Sequence, residues 1–232
     1  MTWLAHRCRD EEQMDSADLD QAIYTRVLRD LARVNRWTFT AHPLLAYLDQ
    51  AAKGLVRFRL LDVGFGEGDL LRRVAYWARR RAISVSLVGI DINPRSAGIA
   101  RAMTPRDLPI EYQTGDCLDV PGAFDFIVSS QVAHHMTDQQ LRDFLHFMEE
   151  RTLRGWLIND LRRHAFAYYG FPLLARLLGV HRIVREDGQL SIARSFRKNE
   201  WRAILADAGI APEGTRLVNR FPFRLSVERI KR

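Results

Sequence analysis

Apolar residues first recur at helical spacing. Over 18–33 they fall at Leu19, Ile23, Val27, Leu28 and Leu31, which line one face of an amphipathic helix. A second helical piece over 43–53 has Pro43 in its first turn and Gly54 as its stop. From residue 56 the pattern changes, and short apolar runs alternate with helical stretches. VRFRLLDV (56–63) reads as a first strand, 68–81 as a helix and SVSLVGID (84–91) as a second strand, after which Pro94 opens a helix. A third strand lies within 109–116 and a fourth is FDFIVSS (124–130). Thr137 and Asp138 cap a helix running to Glu150, and GWLIND (155–160) is the fifth strand. Residues 161–190 break this rhythm with an aromatic, apolar run around Gly170 and Pro172, read as two short helices. The next helix covers 198–210, with Asn199 as its cap and Gly209 as its stop. EGTRLVNRF and FPFRLSVERI then suggest a hairpin at the sheet edge.

Strands separated by helices of this length predict an α/β fold with a doubly wound parallel sheet. Residues 1–54 form an N-terminal helical extension that can cap the site. Residues 55–232 form the main domain, in which 161–190 is a substrate-side insertion. Ligands of such sheets bind outside the carboxyl ends of the strands.

Composition narrows the function classes. Hydrophobic residues make up 47% of the chain, enough for a core, yet no run approaches the roughly 18 apolar residues of a membrane span. The N-terminal MTWLAHRCRDEEQMD is too charged for a signal peptide, which leads to the expectation of a soluble, cytoplasmic protein. Cys8 and Cys117 stand far apart, without metal-site or disulfide spacing. The net charge of +7 is carried mostly by arginine, lysine occurring only at Lys53, Lys198 and Lys231. The arginines spread along the chain, which fits solvated faces better than a nucleic-acid patch. Arg72, Arg73, Arg79, Arg80 and Arg81 read as the wet side of one helix. The pattern carries no signature of oligomeric state.

The chemistry concentrates in LLDVGFGEG (60–68), where Asp62 precedes Gly64, Gly66 and Gly68. Gly64 and Gly66 let the backbone turn sharply and approach a ligand closely. A dinucleotide-binding turn uses GxGxxG and rests a pyrophosphate on a helix N-terminus. Here the spacing is GxGxG, and Asp62 and Glu67 would repel a pyrophosphate but can receive an ammonium or sulfonium group. S-adenosylmethionine fits that description, and NAD does not. Asp91, 25 positions after Gly66, ends the second strand and can accept ribose hydroxyls. Asp116, just after the third strand, can accept an adenine amino group while the backbone of Cys117 and Leu118 reads the ring edge. Each residue alone has an ordinary structural explanation, as a cap or a turn; three acids at three successive strand ends are harder to dismiss.

With these pieces in order, LLDVGFGEG, GIDINP, GDCLDV and FDFIVSSQVAHHM, the chain resembles the class I S-adenosylmethionine-dependent methyltransferases over about residues 55–230. The resemblance implies a Rossmann-like, seven-stranded sheet whose last strand is antiparallel. It also implies that Asp62, Gly64, Gly66, Asp91, Ile92, Asp116, Cys117 and Ser130 line the cofactor. Glu67 departs from the small or variable residue usual in that turn. After the fourth strand the chain has SSQVAHH in place of the Asn/Asp-Pro-Pro-aromatic tetrad of base amino-methylating enzymes. Neither cysteine is placed as a base C5-methylation nucleophile. Both points weigh against nucleic acid. The pattern is more similar to small-molecule members of quinone and polyketide-type pathways, and WLINDLRRH followed by an aromatic insertion points the same way.

For a hydroxyl acceptor a general base is useful, and His134 and His135 follow the fourth strand at the carboxyl edge, His135 being preferred. Asp160, Arg162 and Arg163 after the fifth strand can hold an acceptor oxygen. Tyr168, Tyr169, Phe166 and Phe171 can wall its pocket, and Trp37, Phe39 and His42 can close over it. No metal is expected, because no carboxylate cluster is left beyond those at the cofactor. The expected activity is O-methylation of an aromatic or polyketide-like hydroxyl, with carbon as second choice. The alternatives are an RNA or protein methyltransferase and a non-catalytic partner subunit of the same fold.

Overall fold

A computed structural model describes residues 4–16 and 18–231. Seven strands form one sheet in the order β3-β2-β1-β4-β5-β7-β6. They are β1 (Arg57–Val63), β2 (Ser84–Asp91), β3 (Ile110–Thr114), β4 (Phe124–Ser130), β5 (Thr152–Leu161), β6 (Thr215–Arg220) and β7 (Arg224–Ile230). β1 to β5 pair in parallel, whereas β7 runs antiparallel to β5 and β6. This is the Rossmann-like architecture expected. The terminal hairpin does not simply extend the sheet: β7 inserts between β5 and β6.

The helices are α1 (Gln21–Trp37), α2 (His42–Ala51), α3 (Asp69–Arg80), α4 (Pro94–Met103), α5 (Asp138–Arg151), α6 (Ala165–Leu177), α7 (Arg182–Arg194) and α8 (Lys198–Asp207). Local chemistry sets several boundaries. Asp20 accepts the Ala22 and Ile23 amides at 2.8 and 3.1 Å, so α1 starts later than its apolar periodicity and runs on to Trp37. Thr137 and Gln140 close a reciprocal capping box on α5. Asn199 does not cap α8; it lies within the helix, and the Glu200 side chain accepts the Arg197 amide at 2.7 Å.

One sheet face carries side chains of α2, α3 and α4, and the other those of α5 and α8. The 1–54 extension therefore divides between two tasks. α2 is a layer helix: Leu44, Tyr47 and Leu48 are buried in the core, and Tyr47 donates to the Arg229 carbonyl at 2.8 Å. α1 instead packs Val27 and Val34 against Ile183 and Val184 of α7, in a separate apolar cluster. The helical region after β5 runs to Arg194, past the expected end at 190, and its second helix supplies that contact.

The connections from β1 and β4 leave in opposite directions across the sheet, so the crevice between their carboxyl ends is the topological switch point. There the left-handed Gly64 (φ 77°) faces Val132, and Gln131 holds a left-handed φ of 61° despite its side chain.

Candidate active site

The switch-point crevice opens into a cavity of about 840 Å³. Its floor is the carboxyl edge of β1, β2, β3 and β4. Tyr24, Leu28 and Asn35 of α1 and Val184 and Asp187 of α7 form the opposite wall. Of the residues expected at the cofactor, Gly64, Gly66, Asp91, Ile92, Asp116, Cys117 and Ser130 line this cavity.

Asp91 ties the site together. Its carboxylate accepts the Gly66 amide at 2.9 Å and the Asn93 amide at 2.9 Å, linking the glycine turn to the end of β2. Burial raises its pKa, and the two amides oppose that rise. A Cβ built on Gly66 meets nothing within 4 Å, so the backbone of the turn faces open space, as close approach of a ligand requires. Asp116 accepts the Leu118 amide at 3.0 Å and caps a short turn that presents Cys117 and Leu118 to the cavity. Burial, and then Asp116, push the Cys117 thiol up to about 12, so it is no thiolate nucleophile at neutral pH.

Asp62 departs from the expected contact. It lies on β1 beneath the turn, is 1% exposed and does not reach the cavity wall. Both its oxygens lack a hydrogen-bond partner among the described residues, and burial followed by Asp91 pushes its carboxyl up to about 7. Glu67 lines the cavity with Arg72 folded back onto its Oε1 at 3.2 Å and onto its carbonyl at 2.6 Å, while its Oε2 has no hydrogen-bond partner among the described residues. Arg72 is therefore not on the wet side of its helix.

His134 and His135 both line the cavity, in different states. His134 is 2% exposed, and Asp160 holds it twice, through the backbone amide at 2.9 Å and through Nδ1 at 2.7 Å. Its Nε2 faces Glu12 Oε1 at 3.5 Å. Burial pulls the His134 pKa down, but Asp160 and Glu12 outweigh burial and push it up to about 10. Flanked in this way, His134 is a charged, buried group and not a free base. His135 is 28% exposed along its side chain, meets Asp15 through Nδ1 at 2.9 Å, and packs its ring 4.2 Å from that of His134.

None of the five residues expected at the acceptor is among the described residues of the cavity wall. Asp160 is buried behind His134. Arg163 is buried as a structural clamp, donating to the Leu4 carbonyl at 3.1 Å and the Ser195 carbonyl at 2.7 Å and pairing with Glu200. Arg162 lies beside β7, its amide donating to the Phe223 carbonyl at 2.9 Å. Tyr168 and Tyr169 pack edge to face on α6 at 5.2 Å, and Tyr169 is exposed. Trp37, Phe39 and His42 are exposed as well and do not cover the cavity. The groups that do build this end of the site were missed: Glu12 and Asp15 before α1, and Asp187 and Ser191 on α7. Glu12 and Asp15 sit in the charged N-terminal run, Asp187 within the insertion expected beside the substrate and Ser191 just past it, and no motif marks any of them.

Residues 60–154 match a family model described as a methyltransferase domain. No curated protein matches the chain. Magnesium protoporphyrin IX methyltransferase from Synechocystis PCC 6803, solved with S-adenosylhomocysteine, is 17% identical with a TM-score of 0.59; 95% of this chain and 92% of that one are covered. A SAM-dependent methyltransferase from Aquifex aeolicus is 17% identical with a TM-score of 0.62, covering 92% and 99%. Human N-acetylserotonin methyltransferase, solved with S-adenosylmethionine, is 15% identical with a TM-score of 0.62, covering 95% of this chain and 63% of its own. The chain shares its fold with these S-adenosylmethionine-dependent methyltransferases, and its central residues match the methyltransferase-domain model.

Proposed function

We infer that this S-adenosylmethionine-dependent methyltransferase acts on a small molecule, at the oxygen of an aromatic or polyketide-like hydroxyl, with carbon as the second acceptor atom. The observation that carries the reading is the continuous cavity running from the glycine turn to His135. Its volume of about 840 Å³ lies within the usual range for a small-molecule site and suits a nucleoside with a small acceptor beside it. The named neighbours, which act on a porphyrin and on N-acetylserotonin, support a small acceptor by analogy.

When bound, S-adenosylmethionine supplies an electrophilic methyl group on a sulfonium. The turn at Gly64 and Gly66 and the Asp91 carboxylate would hold its sugar and amino-acid portions, and Asp116, Cys117 and Leu118 its base. α1 and α7 form the cap that excludes water, and the residues of α7 select the acceptor. The acceptor hydroxyl enters beside His135. Asp15 engages Nδ1 of that ring, which leaves Nε2 as the nitrogen able to take the hydroxyl proton.

The test is transfer of an isotopically labelled methyl group to a panel of phenols, read by mass spectrometry. His135→Ala is expected to lower kcat by roughly 10²- to 10⁴-fold while the affinity for S-adenosylmethionine is kept. Label found on RNA or protein, and on no phenol, overturns the reading.

A further inference from the structure

We propose that Glu12, His134 and His135 form a binding site for one divalent transition-metal ion of the zinc or ferrous type, at the acceptor end of the cavity. Two imidazoles and one carboxylate are the donor set such ions prefer. The donor atoms all lie within 4.8 Å of one another. The Glu12 carboxylate meets both rings through Nε2: its Oε1 is 3.5 Å from His134 and its Oε2 is 3.8 Å from His135. Metal bonds of about 2.0–2.1 Å place adjacent tetrahedral ligands roughly 3.3 Å apart, and the two contacts to Glu12 lie within about half an ångström of that spacing.

Four further observations support a ligand here, which would take the place of the proton that His134 otherwise holds between Asp160 and Glu12. His134 Nε2 is buried, faces the cluster and has no hydrogen-bond partner among the described residues. Both histidines engage a carboxylate through Nδ1, Asp160 at 2.7 Å and Asp15 at 2.9 Å, which orients Nε2 of each toward the same point. That is the outer-shell arrangement found behind metal-bound imidazoles. Ser191 Oγ donates to Glu12 Oε1 at 2.8 Å and fixes the third ligand. The segment carrying Glu12 and Asp15 is itself anchored, since Asp187 accepts the Gln13 and Met14 amides at 3.0 and 2.9 Å.

Three carboxylates, Glu12, Asp15 and Asp160, meet the rings; the opposing charges are the guanidiniums of Arg194, 4.0 Å from Glu12, and of Arg7, which donates to the His134 carbonyl at 3.1 Å. All three ligands line the cavity, so a coordination position is open to the acceptor. A cation there would polarise a hydroxyl oxygen entering from the cavity. The sequence led to the opposite expectation because the ligands come from two distant segments.

The inference rests on the same site as the acceptor reading and differs at one atom. If His135 Nε2 is a ligand, the cation and not the imidazole activates the hydroxyl. The test uses the tag-free full chain, stripped with a chelator and titrated with Zn²⁺ by calorimetry. Co²⁺ substitution adds a visible absorption band as a direct signature of coordination. One equivalent is expected to bind, and Glu12→Gln and His135→Ala are each expected to weaken it roughly a hundredfold or more. Neither change touches the cofactor cradle, so S-adenosylmethionine binding by the same variants reports that they are folded. Should the chain take up neither ion stoichiometrically, or should both variants bind as the parent does, the metal proposal is overturned. The acceptor reading then stands if His135→Ala still impairs transfer, and falls with it only if label never reaches a small molecule.

Discussion

Alanine at position 64 and alanine at position 66 look equivalent in sequence and are not equivalent in the fold. Gly64 has a φ of 77°, and a Cβ there would lie 2.3 Å from Val132 Cγ2. Gly66 has a φ of 57°, and its Cβ would meet nothing within 4 Å. Each substitution forces an L-residue into the left-handed region, at about 1–2 kcal/mol. Only Gly64→Ala adds overpacking, worth about 1–3 kcal/mol. The expected stability losses are thus about 2–5 kcal/mol at 64 and about 1–2 kcal/mol at 66. Urea unfolding of the cofactor-free protein measures both, and shortening Val132 in the Gly64→Ala background should recover the overpacking part in a double-mutant cycle. Calorimetry should show the reverse ranking for the ligand: Gly66→Ala stays folded yet binds S-adenosylmethionine at least tenfold more weakly, because the methyl group occupies the ligand's approach. Equal losses at the two positions, or no coupling between positions 64 and 132, would refute this account of the turn.

Three other outcomes follow from the structure. Asp62 is held protonated up to about 7 by burial and by Asp91, whereas in the unfolded chain it ionises near 3.8. Its contribution to stability is full below about pH 4 and is lost as pH rises toward 7, so Asp62→Asn should flatten that slope and stabilise the cofactor-free protein at pH 8 by at most roughly 4 kcal/mol, measured by urea titration across pH. Asp91→Asn removes the charge that accepts the Gly66 and Asn93 amides; the affinity for S-adenosylmethionine should fall by about 1.5–3 kcal/mol, and unchanged affinity in calorimetry would remove Asp91 from the cradle. Arg163→Met removes the donor to the buried Leu4 and Ser195 carbonyls and breaks the pairing with Glu200, and should cost about 3–5 kcal/mol in chemical denaturation, while the acceptor KM, assayed below the unfolding transition, stays put. A selective rise in that KM would restore Arg163 as an acceptor residue.

The strand–helix alternation, the glycine turn and the acids ending β2 and β3 were legible in the sequence because each is set by neighbours a few residues away. Periodicity fixes which face is buried, a left-handed turn needs glycine, and a carboxylate at a strand end stays at the edge whatever packs around it. Even there the rule reached only so far: Asp62 sits in the right motif but under the turn, since strand alternation turns its side chain away from the cavity wall. The acceptor end was not legible. Asp160 lies near the end of β5 and Arg162 and Arg163 follow it, yet Asp160 and Arg163 turn inward, one to hold His134 and the other to tie the N-terminal segment to the start of α8. Glu12 and Asp15 come to the histidines only because α7 binds the segment that carries them, and α1 closes on α7. Those contacts join residues more than a hundred positions apart, so no local pattern encodes them; burial and long-range ion pairing, settled only when the helices dock on the sheet, decide which charges face solvent and which face the reaction.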